Sequence, residues 1–317
     1  MLAPDAIVAA LRAQFSQRSI HAFRRFLRRH PGLRQWVLAS DYNWRQPDFP
    51  QDVIAFSLLP NRHGTTALGE QMAKTFPRDF KSSRRIDAKA KGWFRQRGAG
   101  FHWCFVLENK SSVLDTPGKS RLEAARDTIK VTLDYLRAKK APPWLVSAYA
   151  ALEQESRSNS FPAHIYGDVM LLTWVYTFVV GTVLSERPLD TLEWCSDRDA
   201  LTVWQNRLIF AMASTNATRW AAYRNLPLAS DALVYRILDD ANTATFDPIV
   251  RPADLLAGPL ASWNLASNAS VRGKEKYGDV YRGILAENDN ICVTRIRIGR
   301  EGCRVSQLHF QKFALSD

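Results

Sequence analysis

Apolar positions along this chain fall into two kinds of segment. Some are short runs rich in Val, Ile, Phe and Trp, which suit strands. Others are longer stretches with helical spacing, bounded by Ser, Asp, Pro or Gly. Gln35 to Ser40 (QWVLAS), Asp52 to Leu59 (DVIAFSLL), Phe101 to Glu108 (FHWCFVLE) and Thr191 to Cys195 (TLEWC) are the predicted strands of the central part. Ile291 to Ile298 and Cys303 to Phe310 predict a hairpin around Gly299-Arg300-Glu301-Gly302. Helices are expected over 3–30, 64–76, 119–140, on to about 155, 163–184, 199–214, 230–242 and 252–265. Thr218 to Leu226 reads as a further strand, and 267–290, polar and Gly-containing, as a loop.

This alternation predicts an α/β fold with a mixed sheet of about five strands flanked by helices. Three parts follow: a basic N-terminal helical arm (1–33), a core (34–265), and a loop with a C-terminal β-hairpin packed on that core (266–317). Val169 to Leu184 (VMLLTWVYTFVVGTVL) is uncharged but only 16 residues long. A bilayer span needs about 20, so a buried core helix is predicted and no membrane is expected. The first residues, with Asp5 among weakly apolar neighbours, do not read as a signal peptide.

Charge sharpens the picture. The net charge is +12, and residues 1–100, with 18 Lys/Arg against 7 Asp/Glu, carry +11 of it. Such a block favours polyanions through phosphate contacts and counterion release, and it equally suits an acidic protein surface. Arg18, Arg24, Arg25, Arg28 and Arg29 crowd one predicted helix. In 74–97, Lys81, Arg84, Arg85, Lys89, Lys91 and Arg95 alternate with Phe76, Phe80, Trp93 and Phe94. That mixture suits a groove where cations hold phosphates and rings stack on bases; it equally suits a helix whose rings face the core. The four Cys have no CxxC spacing and read as reduced thiols of a cytoplasmic protein. A Cys292–Cys303 bond across the hairpin would need an oxidising compartment.

No GxxxxGK[ST], GxSxG, HExxH or strand-following GxGxxG is present, and the six His are scattered. What remains is a set of aspartates at element ends. Asp41 closes the first strand, Asp197 follows the fourth, and Asp254 lies in RPADLLAG at a helix start. Hard carboxylate oxygens on neighbouring strand ends suit Mg2+ or Mn2+. Singly, each also reads as a turn residue, an N-cap or a first-turn carboxylate.

The segments WVLASDYN, EWCSDRDAL and PIVRPADLLAGPLA, with DFKSSR and FHWCFVLENKS between them, resemble the domain of unknown function 3800 family, whose members are ribonuclease-H-like. The resemblance spans roughly residues 34–265. It implies a ribonuclease-H-like fold and a metal site built from Asp41, Asp197 and Asp254, with Lys81 and Lys110 at family-like positions. It also implies metal-dependent phosphodiester cleavage of DNA or RNA. The family carries Asp-Glu-Ser after its first strand, whereas Tyr42 and Asn43 follow Asp41 here. Glu108, Glu193 and Asp199 are open candidates to stand in for the missing carboxylate, and the sequence does not choose among them. The expectation is therefore a nuclease-like protein. The alternatives are a non-catalytic nucleic-acid-binding module of the same fold, or a protein–protein adaptor in a defence or mobile-element system. A protein partner or a homodimer stays open.

Overall fold

A computed structural model describes residues 4–78, 80, 83–108, 113–229, 231–237, 243–265, 267–270, 275–299 and 302–311. The chain is an α/β protein with a mixed sheet between two helical layers. Its strands are β1 (Gln35–Asn43), β2 (Asp52–Pro60), β3 (Phe101–Glu108), β4 (Thr191–Ser196), β5 (Leu233–Ile237), β8 (Ile291–Gly299) and β9 (Gly302–Leu308). They lie in the order β5-β4-β1-β2-β3-β8-β9. β1, β2 and β3 form an antiparallel meander, while β4 lies parallel to β1 and β5 parallel to β4. β8 is parallel to β3 and turns back as β9. The small pair β6 (Trp263–Asn264) and β7 (Ala269–Ser270) stands apart.

The alternation of side chains along β1 sorts the two faces. Trp36 and Leu38 look to one side with Ile54, Phe56, Trp103 and Trp194. Against them pack α1 (Pro4–Gln14), α2 (Gln17–Arg28), α5 (Arg121–Ala138), α6 (Pro143–Ser156), α7 (Ala163–Glu186) and α8 (Ala200–Tyr223). Val37 and Ala39 look to the other side, with Ala55, Cys104 and Cys195. These small residues let α9 (Thr243–Ser262) lie close on the sheet, flanked by α3 (Thr65–Thr75), α4 (Ala88–Arg95), α10 (Glu275–Val280) and the π-helical turn Tyr281–Leu285.

Several sequence expectations change here. The hairpin does not sit on the core; β8 and β9 extend the central sheet itself, giving it seven strands. Residues 1–33 are not an arm either, because Ile7, Leu11, Phe23 and Phe26 are buried in the main core. Residues 218–223 continue α8, since Ala213, Ala217 and Ala221 repeat every four residues on its buried face. Leu233–Ile237 forms edge strand β5 where a helix was expected, and the rest of that expected helix, 238–242, lies outside the described residues. Part of the expected loop 267–290 is helical.

α7 is long and apolar enough to cross a membrane, and its apolar run is entirely buried within the protein. Its Thr173, Thr177 and Thr182 hydroxyls donate to the carbonyls of Met170, Thr173 and Phe178. These three hydroxyls are thereby satisfied without lipid or water. Cys104, Cys195, Cys292 and Cys303 are all free thiols. Cys303 is registered against Ile298, so the hairpin does not bring it to Cys292.

Candidate carboxylate site and basic surface

The parallel register of β1 and β4 pairs Ser40 with Ser196. Asp41 follows Ser40 within β1 and Asp197 follows Ser196 just past the end of β4, where its N–H donates to the Ser40 carbonyl at 3.4 Å, so the two residues are neighbours across the strands. By alternation both belong to the face covered by α9. Between β1 and β4 the chain also reverses the direction in which strands are added, the kind of switch point where open α/β sheets form their crevices.

Asp254 lies on α9, half-buried. Gln51 Nε2 donates to the Leu260 carbonyl at the Asp52 end of β2, while Gly69 in α3 sits against Thr245 near the other end. α9 therefore runs alongside β1 in the same direction. Asp254 is six residues before Leu260, about 9 Å at 1.5 Å per residue. Asp41 pairs with Ala55, four residues beyond Gln51, about 13 Å along the strand. The three aspartates thus share one face and roughly one level of the sheet. Among the described residues, no three His, Cys, Asp or Glu side chains close into a metal-holding group. The donor chemistry still suits a hard cation, because Mg2+ commonly takes one or two protein carboxylates and completes its shell with water and substrate phosphate.

The proposed substitute carboxylates have other work. Glu108 is held by Arg295 Nε and Arg297 Nε, each at 2.8 Å. Burial acts to raise its pKa, but the hydrogen bonds from Arg297 and Arg295 bring it below the ordinary value. Asp199 caps α8, accepting from the Leu201 and Thr202 N–H groups; burial nonetheless raises its pKa. Glu193 is buried on the α9 face, bonded to Arg236 and Thr65, at the register of Val37. Tyr42, which follows Asp41, faces the opposite side of the sheet from it. Its hydroxyl bonds to Ser40 Oγ at 2.6 Å and Ser196 Oγ at 3.0 Å.

One carboxylate escaped the sequence reading. Asp168 is buried in α7 and accepts from Arg45 Nε at 2.8 Å. Arg45 follows the end of β1, so this pair stands at the same end of the sheet as Asp41, on the other face. The available signal was a lone charge at the head of an uncharged run.

The basic segment divides on inspection. Arg84 and Arg85 are exposed and line a cavity of about 720 Å3 with Phe76, Phe80 and Leu255, next to Asp254 in sequence. Lys89 Nζ donates to the Lys74 carbonyl at 2.7 Å. Lys91 pairs with Asp279 at 2.9 Å. Arg95 donates to the carbonyls of Gly283 (2.7 Å) and Ala286 (2.9 Å), closing the end of the π-helical turn. Lys81 and Lys110 lie outside the described residues. Phe76, Phe80, Trp93 and Phe94 are core residues, so their rings are closed to stacking on bases.

Comparison with protein-family models, with curated proteins and with solved structures returns no match.

Proposed function

We propose that this chain is a metal-dependent, nuclease-like protein of ribonuclease-H-like plan acting on nucleic acid at the Asp41/Asp197/Asp254 face. The observation that carries the reading is the register of Ser40 with Ser196, which sets the following residues, Asp41 and Asp197, on neighbouring parallel segments on the side of the sheet covered by the helix that bears Asp254. Support comes also from the strand plan: an antiparallel meander β1-β2-β3, then β4 and β5 added in parallel on the far side of β1. A mixed sheet flanked by helices is what the ribonuclease-H-like reading expects.

Asp41 and Asp197 would hold Mg2+ or Mn2+, with Asp254 approaching from α9. When bound, such an ion lowers the pKa of water and neutralises charge on a phosphodiester. The chain's own part is to orient those carboxylates. β1 and β4 fix two backbones through a shared ladder, and the Arg198 N–H donates to Asp197 Oδ1 at 2.7 Å. Arg84 and Arg85 would meet the phosphate backbone beside the site, while Lys91 and Arg95 hold the segment that carries them. The Tyr42-Asn43 sequence after Asp41, together with the absence of a closed metal-holding triad among the described residues, favours a second reading, a binding module that has kept the plan without the cutting.

Labelled single- and double-stranded DNA and RNA, incubated with Mg2+, Mn2+ or EDTA, decide between them. Metal-dependent cutting that disappears in Asp41→Asn and Asp254→Asn is the expected result. Salt-sensitive binding without cutting in any metal would leave the binding module, and no binding at low salt would leave the adaptor.

A further inference from the structure

A second cationic surface lies at the opposite end of the sheet, about 16 Å from Asp41 counted along β1 from Trp36. Two clefts, of about 430 and 350 Å3, adjoin there and share Arg29, Arg97 and Gly98. Three separate elements bring guanidinium groups to them: Arg28 and Arg29 from the last turn of α2, Arg62 from the turn after β2, and Arg97 from the turn after α4. All four are exposed. Among the described residues none of them makes an ion pair. The first cleft has no carboxylate in its lining, and the one in the second, Asp289, is already bonded to Arg18 and Arg25.

The arrangement is built rather than incidental. Arg62 Nη2 donates to the Arg29 carbonyl and contacts His30 Nδ1 at 2.7 Å, and His30 Nε2 contacts the Gly98 carbonyl at 2.9 Å. Gly98 has φ +94°, and a Cβ there would press on Arg29 Cβ at 3.0 Å. Only glycine lets the Arg97 turn lie on α2 this closely. Gly64, with Ala67, Leu68 and Gln71 of α3, lines the same cleft.

We infer that this trough is a sequence-independent docking surface for the sugar–phosphate backbone of a nucleic acid. Guanidinium forks on both walls match phosphate geometry, which is the same whatever the base sequence, and the one carboxylate in the lining, Asp289, is already bonded to Arg18 and Arg25. A lipid surface fits less well, because the exposed large apolar residues among those described, Val131, Trp144, Val203 and Tyr223, do not line it. The inference rests on the nucleic-acid reading above but not on catalysis.

Binding is therefore measured in EDTA, by anisotropy of labelled DNA and RNA oligonucleotides between about 50 and 200 mM salt. The triple variant Arg28→Ala/Arg29→Ala/Arg97→Ala is compared with Lys130→Ala/Lys139→Ala/Lys140→Asn, which removes the same charge elsewhere; Asn is chosen because Lys140 has φ +49°. Thermal melts establish that both variants fold. The trough variant should bind at least about tenfold more weakly, with its log–log salt slope reduced by about 2. The control should change by less than about twofold. Equal losses in the two variants, or unchanged binding by the trough variant, overturn the inference. So does retention on phosphatidylserine vesicles without oligonucleotide binding. Trough-dependent binding with no metal-dependent cutting would sink the nuclease reading alone; cutting retained without any trough dependence would sink this one alone.

Discussion

His30 and His102 show how burial sets chemistry one side chain at a time. His30, under Arg62 and Arg187, is pushed from the ordinary 6.5 down to about 4, first by burial and then by those charges. His102, sealed in the sheet with Ser57 Oγ at 2.8 Å, is pushed to about 3 by burial alone. Both folded values lie below the unfolded one, so the folded chain binds fewer protons. The stability that the neutral rings contribute is complete above about pH 6.5 and is lost as pH falls toward the folded values. The expected loss between pH 7 and 5 is about 2 kcal/mol from each ring, so about 4 kcal/mol together. Urea unfolding at the two pH values measures it, and ring nitrogen shifts showing His30 or His102 charged at pH 6 would contradict it. Arg95 makes a second residue-scale test. Arg95→Ala strands the Gly283 and Ala286 carbonyls, so it should cost about 1–3 kcal/mol. Oligonucleotide affinity should stay as it was; a large affinity loss at unchanged stability would return Arg95 to the phosphate-gripping set.

At the scale of elements, α9 is decided by what it packs on. Pro248, Pro252 and Pro259 lie inside it, and each removes a hydrogen bond from the ladder. The sequence pattern therefore starts this helix at Pro252, whereas burial of Ile249, Ala253, Leu256 and Leu260 on the sheet sustains it from Thr243. β5 and the end of α8 exchanged roles for a related reason. Thr218 to Leu226 has the aromatic and β-branched content of a strand, yet its alanines find a helical partner in α7. Gly181 makes room there, lying directly against the Trp220 ring. Gly69 does the same for α3 against α9, since a Cβ would run into the Thr245 carbonyl oxygen. Gly69→Ala is expected to cost about 1–3 kcal/mol. Gly92→Ala, on the exposed face of α4 with nothing near the new methyl group, should stabilise by about 0.5–1 kcal/mol. Denaturant midpoints of the two variants shifting in the same direction would refute this packing account.

For the whole molecule, the basic first third is not an appendage. Phe23 and Phe26 pack on Phe101, Trp103 and Trp36, so α2 closes one face of the central strands. A chain starting at residue 34 should therefore fail to give a cooperative melt; a soluble truncated form with native-like near-UV dichroism would restore the picture of a detachable arm. The placement also spreads charge in a particular way. Arg24 pairs with Glu186, and Arg18 and Arg25 with Asp289, which leaves Arg28 and Arg29 facing the trough. The carboxylates sit at one end of the sheet and this cationic surface at the other.

Much of this was readable from residue order. β3 is observed at its expected ends, β1, β2 and β4 lie within a few residues of theirs, and α7 is the core helix its uncharged run implies. These segments are legible because local periodicity and burial agree along them. Asp197 directly follows β4 as the pattern implies, whereas Asp41 lies within β1, which runs on to Asn43 because β2 pairs with it that far. What residue order could not supply is adjacency: that β4 is registered beside β1, that α9 crosses the same face, that the hairpin joins the sheet, and that Arg28, Arg62 and Arg97 meet around Gly98. Those depend on contacts between segments far apart in the chain, whose free energy comes from joint burial and shared hydrogen bonds, and no local window of sequence contains both partners.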